Sequence, residues 1–172
     1  FRPPPGMALS FVGVMLRPTG RGLERGFRQY CFADLDRVRA EPVAGDTALG
    51  AAFVELIDPL RYPEGGITET AVREIRRLKA RMEAERLPRG ADPGLHTKLG
   101  RGGLSDVEWV AQLLQLQHGH ELPGLRTTRT LPALAAATDA GLLDPEDTEQ
   151  LVAAWRIATQ VRDAVMLGRG KA

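Results

Sequence analysis

The sequence KLGRGGLSDVEW, residues 98–109, places three glycines within four positions and then leads into an apolar run typical of a helix. Ser105 is followed three residues later by Glu108, which is the spacing of a capping box. In that motif the serine side chain accepts a hydrogen bond from the glutamate amide, and the glutamate side chain accepts one from the serine amide. The stretch predicts a glycine turn feeding a helix that begins at Asp106, with Ser105, Asp106 and Glu108 in structural roles.

The glycine turn admits two interpretations. It can be a phosphate-binding loop, in which two cations, a bare backbone and the unpaired amides of a helix N-terminus surround an anion. The residues that would form this loop are Lys98, Gly100, Arg101, Gly102 and Gly103. It can instead be a tight turn between two helices, with its charges in solvent. The stretch matches neither the G-x-x-x-x-G-K-[ST] motif nor the G-x-G-x-x-G motif, so the glycine spacing leaves both interpretations open.

The composition is that of an ordinary soluble domain, with 172 residues, 43% of them hydrophobic and 26% charged. The net charge of +1 argues against a dedicated nucleic-acid-binding protein. A single cysteine, Cys31, excludes internal disulfides and suits the reducing cytoplasm. The apolar run at residues 7–16 is too short to span a bilayer and lacks the features of a signal peptide. We therefore expect a cytoplasmic protein without a membrane segment, and its start at Phe1 is what a fragment would show.

Hydrophobic periodicity predicts five helices between residues 47 and 167, joined by short turns. The residues expected to cap the helix starts are Asp46, Thr68, Ser105, Thr130 and Asp144. Gly141 is expected to end the fourth helix. We predict a mainly α-helical fold, a bundle of about five helices, preceded by a short strand at residues 9–16.

Two helices carry patterns that predict their place in the bundle. The helix at residues 106–118 is apolar around most of its circumference, which predicts that it is the central buried helix. Its narrow polar stripe consists of Glu108, Gln112 and Gln115. The last helix carries an apolar stripe that is expected to face the bundle, formed by Leu151, Trp155, Ala158, Val161 and Val165.

A row of arginines marks one face of the helix predicted at residues 68–86. Arg73, Arg77 and Arg81 recur every four residues, opposite the apolar face. Such a row is most often a solvated surface. It can also bind an acidic partner, and the loop that follows can fold it back toward the glycine turn. A nucleic-acid-binding role would rest on this row alone, and the near-neutral net charge disfavours it.

Several short motifs occur together in this chain: RAEPVAGD at residues 39–46, residues 98–108, QLLQL at 112–116, and LRTT at 125–128. Taken together they resemble the bacterial glutamine synthetase adenylyltransferase family. The run at residues 73–89, with His96 and Thr97, is most similar to the second, C-terminal half of the actinobacterial enzymes. The first motif is similar to the family's joint between its catalytic and helical domains. The resemblance covers residues 38–171 well and 16–37 poorly. It implies a remnant of a nucleotidyltransferase domain at residues 1–37 and a helical domain at residues 38–172.

The resemblance also implies a chemistry. One half of these enzymes transfers AMP from ATP to a tyrosine of glutamine synthetase, and the other half removes it by phosphorolysis. ATP and Mg²⁺ are thus implied as cofactors of the parent enzyme, glutamine synthetase as its partner and a PII-type signalling protein as its regulator. The family holds Mg²⁺ with carboxylates of a Gly-Ser-Asp-x-Asp motif, which this chain lacks. Gly13 stands where the family has a third carboxylate, so we expect no catalytic or metal-binding residue here and no AMP transfer by this chain alone.

Two functional hypotheses remain. The chain is either part of an enzyme, with its glycine loop facing the active cleft and steadying phosphates or the closing domain, or a non-catalytic interaction module. In the second hypothesis the row of Arg73, Arg77 and Arg81 docks glutamine synthetase or a PII-type regulator. Salt-sensitive association with such a partner, without nucleotide, would separate the second from the first.

Overall fold

Helices account for most of residues 38–169, the part of the chain that the computed structural model describes. They are α1 Thr47–Arg61, α2 Glu69–Arg86, α3 Leu104–His118, α4 Thr130–Asp139 and α5 Pro145–Arg169, with a 3-10 turn at Pro123–Leu125. Residues 38–169 contain no β-strand. The mainly α-helical prediction with five helices is therefore confirmed for this range. The strand expected at residues 9–16, and with it the remnant at residues 1–37, lies outside the described residues.

Side-chain caps begin three of the helices at the expected positions. Asp46 accepts hydrogen bonds from two amides in the first turn of α1, at 2.8 and 3.0 Å. Thr68 accepts one from the first turn of α2 at 3.2 Å, and Asp144 one from the first turn of α5 at 3.0 Å. The cap predicted at Thr130 is wrong, because this residue is the first of α4 and Arg129 precedes it without a side-chain hydrogen bond. Each confirmed cap satisfies amides that have no partner within the helix.

The end of α4 follows the prediction at Gly141. This glycine has a φ of 70°, in the left-handed region. Its amide donates to the carbonyl of Thr138 at 2.9 Å, and the amide of Leu142 donates to the carbonyl of Ala137 at 2.9 Å. These two bonds form a Schellman motif, which satisfies carbonyls at the helix end and turns the chain into α5.

Helix α3 is the centre of the packed helices, as predicted, and both α4 and α5 pack against it. The buried residues between α3 and α4 are Val107, Ala111, Ala133 and Leu134. The polar stripe of α3 is itself largely buried, since Gln112 is 5% exposed and Gln115 3% exposed. Gln115 Nε2 donates to the carbonyls of Leu125 at 2.7 Å and Thr127 at 2.5 Å. Gln115 therefore holds the connection between α3 and α4 rather than facing water.

A second cluster joins α1 and α2 to α3. Its buried residues are Val38, Tyr62, Ile75 and Leu116. The ring of Tyr62, at the C-terminal end of α1, lies 5.4 Å from the guanidinium carbons of Arg61 and Arg126. Burial is the largest effect on the phenol and raises its pKa above 10.0.

The apolar stripe predicted along α5 is only half correct. Ala158 is 8% exposed, but Val161 and Val165 are 44% and 40% exposed. The prediction that the last two face the bundle is wrong, because α4 has only 10 residues whereas α5 has 25. The end of α5 therefore extends past the helix that covers its beginning. Arg162, on the exposed part, pairs with Asp163 at 2.9 Å.

Candidate functional site

The glycine turn is folded tightly on itself. The amide of Gly100 donates to the carbonyl of His96 at 2.7 Å, and the amide of Gly103 donates to the carbonyl of Gly100 at 2.9 Å. The next two amides, of Leu104 and Ser105, donate to carbonyls of residues 97 and 98 at 2.9 and 3.0 Å. Most amides that a phosphate would need are thus already hydrogen-bonded within the loop.

Two glycines of the turn are required by the fold for different reasons. A methyl group added at Gly100 would lie 2.1 Å from the carbonyl oxygen of Pro93 and 2.5 Å from that of His96. Gly102 has open space around it but a φ of 71°, which side chains rarely adopt. The spacing of the glycines therefore follows from the close packing and backbone geometry of the turn. It does not by itself indicate a bound anion.

The helix after the turn begins differently from the prediction. Helix α3 begins at Leu104 rather than Asp106, with Gly103 as its N-cap and no side-chain hydrogen bond at that cap. The capping box of Ser105 and Glu108 is therefore wrong. Asp106 instead links the helix start to the turn, since its Oδ2 accepts a hydrogen bond from the amide of Gly102 at 2.7 Å. A carboxylate in the first turn also interacts favourably with the helix dipole.

The other oxygen of Asp106 contacts α2. Lys79 Nζ donates to Oδ1 of Asp106 and to Oε1 of Glu83, so one ammonium group lies between two carboxylates. The same ammonium group lies 6.0 Å from the ring centroid of Trp109. Burial, the largest effect, acts to lower the pKa of Lys79, but the hydrogen bonds and charges of Asp106 and Glu83 together outweigh it and raise the pKa above 10.5. We call Lys79, Glu83 and Asp106 the α2–α3 clamp.

A cavity of about 400 Å³ opens beside the clamp. Besides the three clamp residues, its lining residues are Ala84, Leu87, Pro93, Leu99 and Arg101. The lining charges balance, with Lys79 and Arg101 against Glu83 and Asp106. Arg101 and Lys98 are both exposed. The predicted phosphate loop therefore brings only Arg101 to the cavity, and phosphate binding by Lys98, Gly100, Arg101, Gly102 and Gly103 stays a prediction.

The carboxylates of the clamp do not fit a Mg²⁺ ion that holds nucleotide phosphates. Such a site needs carboxylate oxygens open to the metal, whereas Glu83 and Asp106 share the ammonium group of Lys79. Within residues 38–169, no three or more His, Cys, Asp or Glu side chains form a group that could hold a metal ion. No helix in that range is both long enough and apolar enough to cross a membrane.

The arginine row lies on the far side of α2 from the glycine turn. Arg73, Arg77 and Arg81 are exposed, and Arg73 donates to Thr70 Oγ1 at 3.2 Å. At 100° per residue the middle of this row is roughly 160° around the helix from Lys79. The face of α2 that contacts α3 carries Lys79 instead, so the row does not lie against the glycine turn. Its role in binding a partner stays a prediction.

Sequence reasoning missed Lys79 and Glu83. Their spacing of four residues is the usual signal for an ion pair on a helix, and α2 contains no other lysine. It also missed Arg39, whose Nη1 donates to Glu108 Oε1 at 3.0 Å across 69 residues. No local signal predicts a contact at that separation. Glu108 therefore pairs with Arg39 and not with the amide of Ser105.

Known proteins are similar to this chain over the part that contains the glycine turn and most of the helices. A family model described as GlnD PII-uridylyltransferase matches residues 72–172. Three similar proteins carry the name bifunctional glutamine synthetase adenylyltransferase/adenylyl-removing enzyme. That of Streptomyces coelicolor is 73% identical over 135 residues, 78% of this chain and 14% of the relative. That of Nocardia farcinica is 58% identical over 134 residues, 78% of this chain and 13% of the relative. That of Mycolicibacterium paratuberculosis is 50% identical over 171 residues, 93% of this chain and 17% of the relative.

Proposed function

Because the chain belongs to the bacterial glutamine synthetase adenylyltransferase family, which the GlnD PII-uridylyltransferase family model also matches, we propose that it is the helical part of such an enzyme. The chain spans about one seventh of the length of the relatives, since it covers 14% of that of Streptomyces coelicolor. The complete enzyme would transfer AMP from ATP to a tyrosine of glutamine synthetase. The part described here would support the residues that do the chemistry.

The observation that carries this proposal is the attachment of residues 38–41 to the helices. Val38 is fully buried in the cluster with Tyr62. The next three residues each bind a different part of the bundle. Arg39 pairs with Glu108 of α3, the carbonyl of Ala40 accepts from Arg61 of α1 at 2.7 Å, and Glu41 accepts from Thr128 at 2.6 Å. Four consecutive residues are thus held by α1, by α3 and by the connection that leads into α4.

Such an attachment fixes the direction in which the chain leaves the bundle before residue 38. The resemblance places the joint with a nucleotidyltransferase domain at residues 39–46. A fixed joint keeps catalytic groups at constant distance from the helical surface, and transfer rates are sensitive to displacements of about 1 Å. ATP and Mg²⁺ would then be held by carboxylates of the complete enzyme outside the α2–α3 clamp. The chain alone would transfer no AMP.

In this proposal the glycine turn contributes its two exposed cations. Lys98 and Arg101 would face the catalytic cleft of the complete enzyme and attract nucleotide phosphates by charge. Gly100, Gly102 and Gly103 would shape the backbone that presents them. The α2–α3 clamp supports this role, because it holds the turn at the N-terminus of α3.

The first experiment measures AMP transfer with ATP, Mg²⁺ and glutamine synthetase. The purified chain should give no transfer above a blank without protein, and transfer above that blank would contradict the proposal. In the complete Streptomyces coelicolor enzyme, aspartate at the position aligned with Val38 should lower transfer. Aspartate at the position aligned with Val43, which is 88% exposed here, is the matched control. Equal losses of AMP transfer in the two variants would contradict the proposal that the joint supports the catalytic groups.

A second role is favoured by the exposure of the arginine row. Arg73, Arg77 and Arg81 would bind an acidic surface of glutamine synthetase or of a PII-type regulator, and no nucleic acid. Such binding should weaken as salt rises, because exposed charges are screened within roughly 10 Å at 0.1 M salt. Sedimentation of the chain with each partner, with and without the triple substitution to glutamine, measures it. Association that is unaffected by the substitution would contradict this role.

A further inference from the structure

The cavity beside the α2–α3 clamp has an apolar wall that the helices do not use for their own packing. Leu87 and Leu99 form this wall, together with Ala84 and Pro93, and both leucines are half-buried. Within residues 38–169, neither leucine is among the residues that form or pack against the two core clusters. Their apolar surface is therefore open to a ligand, which would displace water from it.

The charged part of the lining is mostly satisfied within the protein. Lys79, Glu83 and Leu87 recur every four residues, so one side of α2 changes from charged to apolar over roughly 12 Å. Lys79 Nζ donates to Glu83 and also to Asp106 of α3. The ammonium group and the two carboxylates are thus one another's partners. A ligand would have to disrupt the clamp to pair with any of them.

Arg101 is the lining charge that has no partner. It forms no hydrogen bond or ion pair with another residue in the described range 38–169, and its side chain is exposed. A guanidinium group presents a planar fork of N–H donors, which matches the two oxygens of a carboxylate. The charge that this cavity can bind is therefore negative, and the group that would bind it is Arg101.

The clamp limits how much negative charge a ligand can bring. Lys79 carries one positive charge, and Glu83 and Asp106 carry two negative ones, so the clamp has a net charge of −1. A dicarboxylate or a phosphate monoester would place a second negative charge close to these carboxylates, which is unfavourable. A monocarboxylate brings only the charge that Arg101 neutralises. The cavity of about 400 Å³ holds about a dozen non-hydrogen atoms, at the roughly 30 Å³ that one water molecule occupies.

We propose that this cavity binds a small aliphatic monocarboxylate, with its carboxylate on Arg101 and its hydrocarbon chain against Leu87 and Leu99. An apolar wall with one polar group that fixes orientation is the usual construction of a small-molecule site. The inference goes beyond the proposed function. It concerns the described residues of this chain and stands whether or not the complete enzyme transfers AMP.

Octanoate is the probe, used below the concentration at which it forms micelles. Its titration into the ¹⁵N-labelled 172-residue chain, followed by NMR, should give saturable shifts at the amides of Leu87, Leu99 and Arg101. Arg101→Gln should raise the Kd for octanoate about tenfold, because it removes a charged hydrogen-bond donor. Arg73→Gln is the matched control, because Arg73 is exposed on the far side of α2, and its Kd should equal that of the parent. The circular dichroism of both variants should equal that of the parent.

Two further probes separate the charged contact from the apolar one. 1-Octanol should bind the parent more weakly than octanoate, and Arg101→Gln should leave its Kd unchanged. Tighter binding of octylamine than of octanoate would overturn the proposal, because the carboxylates of the clamp would then select the ligand. Shifts without saturation, or equal Kd values for octanoate in the parent and in Arg101→Gln, would overturn it as well.

Discussion

Lys79 and Asp106 form an ion pair that joins α2 to the first turn of α3 across 27 residues. Asp106 also accepts the amide hydrogen bond of Gly102, so the same carboxylate holds the glycine turn. One side chain thus connects the turn, the start of the central helix and the neighbouring helix. The shape of the turn therefore depends on the charge of Lys79 as well as on its glycines.

Replacing the ammonium group should loosen the turn. Lys79→Met should lower the free energy of unfolding by about 1 kcal/mol, which is less than the roughly 1.5–3 kcal/mol of hydrogen bonds to charged groups, because the pair is partly solvent-exposed. Urea denaturation followed by circular dichroism measures the change. Lys98→Met is the control, because Lys98 is exposed on the same turn and should change stability by less than about 0.5 kcal/mol. Equal stabilities of the two variants would mean that the clamp contributes nothing.

The clamp also predicts a dependence on alkaline pH. The pKa of Lys79 is raised above 10.5 in the folded state, so the contribution of its charge is complete below that pH and is lost as the pH rises through the raised value. The stability difference between the parent and Lys79→Met should be constant from about pH 7 to 10 and shrink above it. Denaturation curves at a series of pH values measure this difference. Tyr62, whose pKa burial also raises, is present in both proteins, and its titration cancels in the comparison. A difference that grows above pH 10.5 would contradict the prediction.

The two glycines of the turn should respond differently to alanine. Gly100→Ala should cost about 3 kcal/mol, since its methyl group would collide with two backbone carbonyls that cannot move independently. Gly102→Ala should cost only about 1 kcal/mol, because it has space and meets only the penalty of a positive φ. Thermal unfolding of both variants measures the order. If Gly102→Ala proved the more damaging, the packing of the turn would differ from that described.

The buried amide of Gln115 should be needed for its two donated hydrogen bonds. Gln115→Leu leaves the carbonyls of Leu125 and Thr127 without this donor and should cost about 2 kcal/mol. Gln115→Glu should cost more near neutral pH, because an ionised carboxylate has no hydrogen to donate. Urea denaturation at pH 7 and pH 4 separates the two variants, since protonation restores a donor to the glutamate only. Equal losses at both pH values would contradict this explanation.

Much of the helical framework could be predicted from the sequence, because caps and hydrophobic periodicity act within a few residues. Asp46, Thr68 and Asp144 begin helices for reasons that are visible in their immediate neighbours. The end of α4 at Gly141 was also predictable from neighbouring residues, because this glycine adopts a positive φ. The capping box at Ser105 failed because the amide of Ser105 bonds to the carbonyl of Lys98 in the folded turn. Because this hydrogen bond occupies the amide of Ser105, the side chain of Glu108 does not accept from it, and the capping box does not form.

The sequence by itself determined where the helices lie and which of them is central, because helix formation and apolar patterning depend on near neighbours. Only the tertiary structure decided which charges meet. It placed Lys79 rather than the arginine row against α3, and it paired Arg39 with Glu108 across 69 residues. It also left Val161 and Val165 exposed, because α4 is shorter than the helix it covers. Contacts between distant residues depend on how the elements pack, and no local pattern encodes them.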